Sequence, residues 1–220
     1  MRYVFILTIV ATLVASAAYA QEPRGYIEGS GGLSRITGET SGAVNGEVGV
    51  KLSSNIVIFG NIGDLRDVRW SSLQTSVDST VSGLADNNGL TATSTTKVPT
   101  WYTMGGARLQ FPNHSLVTPY VFGGIGLAQL RPSVRFVYQD GTLLSGDTGT
   151  IGQDITSDVV SNGLFTLPSS STHMMLRTGG GVQVPIAKHM IGSVGYSVSR
   201  ISADTPIHTQ DVTFGLGVRF

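Results

Sequence analysis

Six charged side chains are placed where they could meet inside a folded sheet. Each lies on the more polar face of a segment in which apolar and polar residues alternate: Glu28, Glu47, Lys51, Arg108, Arg177 and Arg219. Buried charges need partners of opposite sign, so this set predicts an internal ion-pair network. Glu47 is expected to meet Arg108 or Arg177. The alternative hypothesis is a gated polar path or a binding site through the protein.

The histidines form a second group of candidate catalytic residues. His114 and His189 fall in short turns, which indicates solvent exposure, whereas His173 and His208 lie near strand ends. Neighbouring residues make a Ser-His-Asp set conceivable: Ser169, Ser170, Ser171, Asp204 and Asp211. No spacing enforces that set, so lipid hydrolysis is only the third hypothesis for function. The chain has no cysteine, which excludes thiol catalysis and thiolate metal sites.

Four aspartates could attract a divalent cation, but they match no calcium-binding loop. They are Asp140, Asp147, Asp154 and Asp158, in a stretch without Lys or Arg between Arg135 and Arg177. A solvated acidic loop is the favoured interpretation. We therefore expect no metal and no cofactor.

Period-two alternation predicts the strands that must position these groups. In residues 212–220, Val212, Phe214, Leu216, Val218 and Phe220 alternate with Thr, Gly and Arg. Residues 117–129 are apolar on both faces, so the orientation of that strand stays open. Eight strands are predicted in all, at residues 25–33, 44–52, 56–62, 101–111, 117–129, 176–184, 194–198 and 212–220.

The predicted connections alternate between short and long along the chain. The short ones are rich in turn formers, at residues 53–55, 112–115 and 185–189, and the long ones span residues 34–42, 66–98, 131–172 and 201–209. An up-and-down transmembrane barrel has this arrangement, with tight periplasmic turns and long external loops. The fold class is therefore all-β, an eight-stranded antiparallel up-and-down transmembrane β-barrel.

Two long loops carry structure of their own. Leu73, Val77, Val81 and Leu84 have helical spacing, which predicts a helix that packs on or above the barrel mouth, or acts as a lid over the lumen. In the next long loop, Val134, Phe136 and Tyr138 alternate up to Asp140-Gly141. That alternation predicts a hairpin that projects beyond the membrane.

Aromatic residues near the predicted strand ends suggest interfacial girdles. They are Tyr26, Phe111, Tyr120 and Phe220 at the periplasmic ends and Trp101 at an external end.

Composition and the first residues indicate an exported protein. Charged residues make up only 13% of the 220 residues and Gly contributes 29, too few charges to coat a dense soluble core. Fourteen basic and fourteen acidic residues balance, which gives no sign of nucleic-acid binding. Residues 1–20 combine Arg2, an apolar stretch and Ala18-Tyr19-Ala20, which predicts a signal peptide cleaved before Gln21. Residues 21–220 form the predicted barrel domain.

These features resemble the OmpA/OmpX-like family of small outer-membrane β-barrels. The resemblance rests on the signal peptide, the eight alternating segments, the Gly-Val-Arg-Phe ending, Pro119-Tyr120 and Tyr196-Ser197-Val198-Ser199-Arg200. It implies residence in the cell outer membrane, among lipid and lipopolysaccharide. It also implies that the barrel-assembly machinery reads Phe220, together with the apolar positions before it such as Phe214.

Three functions remain open from sequence. The first is a non-enzymatic barrel, expected to be a monomer, whose exposed loops serve envelope integrity or surface interaction. The second is a narrow channel for small or apolar solutes, and the third is the lipid-modifying enzyme. A continuous lumen or a gap between strands would favour the channel, and a close Ser-His-carboxylate set would favour the enzyme.

Overall fold

A computed structural model describes residues 24–36, 39–68, 70–111 and 116–220 of the chain. The expected signal peptide and His114 lie outside the described residues. Ten strands and two helices follow one another in this order: β1 (Gly25–Ile36), β2 (Glu39–Lys51), β3 (Ile56–Leu65), α1 (Ser71–Asn88), β4 (Leu90–Lys97), β5 (Thr100–Gln110), β6 (Thr118–Leu130), β7 (Ser133–Gly141), α2 (Thr156–Ser161), β8 (Ser171–Pro185), β9 (Met190–Ile201) and β10 (Ile207–Arg219).

Eight of the strands close into one antiparallel barrel, as the sequence predicted. The order around the barrel is β1, β2, β3, β5, β6, β8, β9 and β10, and β10 returns to β1. The β1–β10 seam is paired from Tyr26↔Arg219 to Arg35↔Gln210. Every barrel strand therefore has two neighbours, which leaves no unpaired edge in the wall.

Alternation of side chains gives the barrel an apolar outer wall. On β10, Phe214 and Leu216 are more than 60% exposed, whereas Asp211 on the other face is fully buried. The orientation of β6, which the sequence left open, is now defined. Val121, Ile125 and Leu127 are exposed on the outer wall, and Ala128 is buried inside.

The connection expected at residues 34–42 is not a long loop. The β1–β2 ladder continues through Leu33↔Gly42 and Arg35↔Thr40 to Ile36↔Glu39. Backbone pairing does not require apolar side chains, so strands made of Ser, Thr and Arg can extend past the apolar wall. The connection between β9 and β10 is also shorter than expected, at residues 202–206.

The two longest connections fold together into an external cap. Strands β4 and β7 form a separate two-stranded sheet, paired from Leu90↔Gly141 to Lys97↔Ser133. The sequence predicted that residues 134–138 project beyond the membrane, but their partner comes from the preceding long connection. The Arg131 amide donates to the Pro99 carbonyl at 3.0 Å, so the cap sheet continues the β5–β6 pair.

Helix α1 packs on this sheet, which confirms the predicted helix. Leu73, Val77 and Leu84 are buried, and the helix ends at Gly89, whose φ of 61° is readily adopted by glycine. The cap side chains share one apolar cluster with the upper barrel interior. Neither helix of the described residues is long and apolar enough to cross a membrane.

Aromatic rings inside the barrel pack directly on glycines of the neighbouring strands. A Cβ atom at Gly49 would overlap the Tyr26 ring, and one at Gly63 would overlap the Tyr102 ring. Glycine is needed at these positions because the rings occupy the space of a side chain. By contrast, a Cβ at Gly60, on the outer wall of the same strand β3, would meet nothing within 4 Å.

Gly63→Val is therefore expected to destabilise the barrel, whereas Gly60→Val is not. Overpacking a well-filled interior typically costs ~1–3 kcal/mol. Urea unfolding of the refolded barrel in lipid vesicles would measure the difference in the free energy of unfolding. Equal stability of the two variants would contradict the packing of Tyr102 on Gly63.

Candidate functional site

The periplasmic half of the lumen contains a hydrogen-bonded ion pair between β2 and β5. Arg108 Nη2 donates to Glu47 Oε1 at 2.5 Å, and both side chains are more than 90% buried. The Tyr26 hydroxyl donates to the same oxygen at 2.5 Å, and Asn61 Nδ2 donates to Glu47 Oε2 at 3.4 Å. The Arg108 guanidinium also lies 4.2 Å from the centre of the Tyr120 ring. Glu47 thus pairs with Arg108, one of the two cations that the sequence offered.

A second ion pair lies closer to the external end and joins β8 to β10. Arg177 Nη2 is 3.1 Å from Asp211 Oδ2, and Asp211 is fully buried. Arg177 also donates to the Tyr102 hydroxyl at 2.5 Å and to the Ser197 hydroxyl at 2.8 Å. Sequence analysis did not assign Asp211 to the lumen. Its alternation with Val212 placed it on the polar face of β10, and that signal could have identified it.

Glu28 faces the lumen beside Glu47. The two residues are direct partners across β1 and β2, and Glu28 Oε1 accepts a hydrogen bond of 2.7 Å from Ser193. A cavity of about 30 Å³ lies beside Glu28, Glu47, Arg108 and Arg177. This volume is enough for roughly one or two water molecules and far too small for a solute.

Two of the expected interior charges lie at the periplasmic rim instead. Arg219 is partly exposed and donates to Gln183 Oε1 at 3.1 Å. Lys51, the last residue of β2, is exposed. The interior position expected for Lys51 is therefore wrong.

The expected girdle contains two residues that the structure places inside the barrel. Tyr26 and Tyr120 are only 4% and 6% exposed, and both rings contact Arg108. Tyr26 must share a face with Glu28, two residues later, and this alternation overrides its position near a strand end. Trp101 and Phe111 are exposed on the outer wall, and Phe220 is partly exposed beside Gly25.

The inward faces change from polar to apolar towards the external end. On β8, Arg177 is followed outwards by Met175, and on β10, Asp211 and Thr209 are followed by Ile207. These apolar residues belong to one buried cluster with side chains of the cap. Its members at the barrel mouth are Leu65, Val68, Leu73, Leu130, Met175, Ile201 and Ile207. The external mouth of the lumen is thus filled by close-packed apolar side chains.

Hydrogen bonds hold the cap against this mouth. The Val68 amide donates to the Val98 carbonyl at 3.0 Å, and the Val98 amide donates to Asp67 Oδ1 at 2.8 Å. These bonds connect the segment between β3 and helix α1 to the junction between β4 and β5. Helix α1 therefore packs on the mouth of the barrel and is not detached above it.

The residues of the possible Ser-His-Asp set do not come together. His173 Nε2 lies 2.9 Å from Ser171 Oγ, but Asp211 is bound to Arg177. His208 is exposed on the outer wall. Among the described residues, neither histidine has a carboxylate partner that could orient it as a general base.

The acidic loop is organised around one exposed ion pair. Asp154 accepts hydrogen bonds from Arg135 at 2.8 Å and from the Thr156 hydroxyl at 2.6 Å. The hydrogen bonds from Thr156 and the nearby Arg135 guanidinium lower the pKa of Asp154. Within the described ranges, no three His, Asp or Glu residues form a group that could hold a metal ion.

Comparison with known proteins identifies a family for this architecture. A family model described as an outer membrane protein beta-barrel domain matches residues 6–220. A comparison with curated proteins finds no significant match for the sequence.

Solved structures with similar folds include three bacterial proteins. Neisserial surface protein A (NspA) is 14% identical, with a TM-score of 0.54 over 89% of this chain and 97% of that one. A major outer membrane protein of Thermus thermophilus is 8% identical, with a TM-score of 0.53 over 89% and 99%. Ail, the attachment invasion locus protein of Yersinia pestis, is 14% identical, with a TM-score of 0.50 over 91% and 100%. At these identities the similarity shows the shared fold.

Proposed function

The chain belongs to the outer membrane protein β-barrel domain family, and from this we propose that it is a non-conducting, non-enzymatic barrel whose external cap serves surface interaction. The observation that carries the proposal is the apolar cluster shared by the barrel mouth and the cap. Packed side chains at the mouth of the barrel favour a role in surface interaction over a role as a pore. The cell outer membrane is the location that the family implies.

Two features of the lumen argue against solute passage. The Arg108–Glu47 and Arg177–Asp211 pairs occupy the interior at two levels, and all four side chains are buried. Above them the apolar cluster excludes water, and moving an ion through it would remove the hydration shell of that ion. The continuous pairing around the barrel also leaves no lateral gap between strands.

The cap supports a role in interaction because it is a folded unit. Helix α1 and the β4–β7 sheet bury side chains between them, and residues 152–156 bind the other edge of β7. The Ile155 amide donates to the Phe136 carbonyl at 3.0 Å, and the Tyr138 amide donates to the Gln153 carbonyl at 2.9 Å. An ordered surface loses less conformational entropy on binding than a flexible loop. We further propose a monomer that the barrel-assembly machinery inserts among outer-membrane lipids and lipopolysaccharide.

Single-channel recording tests the proposal directly. Refolded protein in planar bilayers is expected to give no conductance steps, with a wide porin in the same bilayers as the positive control. A variant in which residues 67–97 and 132–170 are replaced by short Gly-Ser turns shows what the cap contributes. Discrete steps from the full protein, absent in protein-free bilayers, would contradict the proposal and favour the channel hypothesis.

A further inference from the structure

The buried charges of the lumen do not balance. Among the described residues, five charged side chains are more than 90% buried: Glu28, Glu47, Asp211, Arg108 and Arg177. Each arginine pairs with one carboxylate, which is Glu47 for Arg108 and Asp211 for Arg177. Glu28 is therefore the third carboxylate of a set that contains only two cations, and the lumen has one excess negative charge.

Other basic side chains of the barrel do not compensate Glu28. On β10, Arg219 follows the partner of Glu28 by two residues, but it donates to Gln183 Oε1 at 3.1 Å. It forms no ion pair with Glu28 in the part of the chain that the structure describes. His173 lies near the external end, ten residues along β8 from Gln183. Because an uncompensated charge in a barrel interior is costly, Glu28 needs a positive partner from outside the chain.

Glu28 stands at one end of a row of oxygen-bearing side chains. Glu28, Glu47 and Asn61 are partners across β1, β2 and β3, and all three line the cavity of about 30 Å³. Glu28 Oε1 accepts a hydrogen bond from Ser193, but Oε2 is buried and has no hydrogen-bond partner within the described residues. The same is true of Asn61 Oδ1. Two buried oxygens without donors thus belong to side chains that line one small cavity.

The chemistry of this cavity suits a small hard cation. Carboxylate, amide and hydroxyl oxygens are the ligands that such cations prefer, and Ser30 and Asn45 add two side chains of this kind in the next row. A monovalent ion balances one excess negative charge, whereas a divalent ion would leave an excess positive charge. Water alone would fill the volume but would not balance the charge. Arg108 Nε and Nη1 also lack partners among the described atoms, and a water molecule bound to the cation would supply their acceptor.

We propose that this cavity binds one sodium ion, with Glu28 Oε2 and Asn61 Oδ1 among its ligands. The ion compensates the charge of Glu28 as Arg108 compensates that of Glu47, and it links β1 to β3 across the inner wall. A water-sized cavity favours sodium over larger monovalent ions. The proposal concerns the interior of the barrel and is independent of what the cap binds.

Stability as a function of Na⁺ concentration tests this site. The refolded barrel in vesicles of uncharged lipid is unfolded by urea, with choline chloride replacing NaCl so that ionic strength stays constant. A single site that is filled only in the folded barrel raises the ratio of folded to unfolded protein about tenfold for each tenfold rise in Na⁺ above its Kd. The variant is Glu28→Gln, which keeps the shape of the side chain and removes its charge. Asp64→Asn is the matched control, because it neutralises a carboxylate on the outer wall of β3.

The wild-type protein and Asp64→Asn are expected to show this Na⁺ dependence, whereas the stability of Glu28→Gln should not respond to Na⁺. A wild-type barrel that is insensitive to Na⁺, or an equal response by Glu28→Gln, would overturn the proposal. A response to pH alone that Glu28→Gln abolishes would also overturn it, because a proton would then compensate Glu28. If Glu28→Gln does not fold, equilibrium dialysis of the wild-type barrel against radioactive sodium decides, since one retained ion per barrel supports the site and none overturns it.

Discussion

Glu47→Ala is expected to cause one of the largest losses of stability that a single lumen substitution can produce. The change leaves the Arg108 guanidinium, which is only 3% exposed, without its carboxylate partner. It also removes the acceptor of the Tyr26 hydroxyl. Breaking a buried pair in this way typically costs ~3–5 kcal/mol, because the remaining charge has no compensation. The temperature at which the barrel loses compact migration on detergent gels should fall accordingly.

Two further variants separate the buried charge from other effects. Asp64→Ala removes a carboxylate from the neighbouring strand β3, where Asp64 pairs with Val44 and Trp101 on the outer wall, and it should have little effect. Glu47→Leu combined with Arg108→Met removes both charges and should recover much of the stability, since apolar replacements of buried pairs are often tolerated. A Glu47→Ala transition as high as that of Asp64→Ala would contradict the lumen network.

The barrel could be predicted because its strands carry a local signal. Consecutive residues of a strand point alternately to lipid and to the lumen, so the alternation over residues 212–220 can be recognised from the local sequence alone. The same rule placed Arg108 and Arg177 inside the barrel. The same rule places Tyr26 on the inner face with Glu28. The prediction of a girdle position instead followed from the proximity of Tyr26 to the strand end. Tyr120 had no such signal, because β6 is apolar on both faces.

The packing of the cap on the external mouth could not be predicted because it depends on pairing between distant parts of the chain. Leu90 and Gly141 are partners in the cap sheet, although the complete β5–β6 hairpin of the barrel lies between them in the sequence. The spacing of Leu73, Val77 and Leu84 predicted a helix but not the surface that it would cover. Only the structure shows that this surface is continuous with Met175 and Ile207 inside the barrel.

Closure and the polar network have a common physical basis. A narrow lumen that contains charged groups is costly unless each charge is paired, and pairing is strongest where water is excluded. The apolar cluster covers the external mouth from the side of the cap, and Arg177 and Asp211 lie directly beneath it. At the periplasmic rim the Arg219 side chain is partly exposed, and its guanidinium has an amide partner instead of a carboxylate.

Deletion of Phe220 is expected to affect assembly in cells far more than stability in vitro. The Phe220 backbone exchanges two hydrogen bonds with Gly25, of 2.9 and 3.0 Å, and its ring covers that glycine. These contacts close only the last step of a seam that continues to Arg35↔Gln210. Their loss should cost at most a few kcal/mol, so refolding into detergent should stay near normal.

Insertion into the outer membrane should fall sharply if the assembly machinery reads Phe220, as the family resemblance implies. Phe111→Ala is the matched control, because it removes an exposed aromatic ring at the same end of the barrel without changing the last residue of the sequence. Phe214→Ala tests the second aromatic of the proposed signal, which is 63% exposed on the outer wall. Outer-membrane fractions from cells expressing each variant give the measurement, beside refolding yields of the same proteins. Recognition predicts that the Phe220 deletion fails in cells and folds in detergent, whereas simple anchoring predicts parallel and modest losses in both settings. Wild-type levels of the truncated protein in the outer membrane would show that Phe220 is not part of the signal.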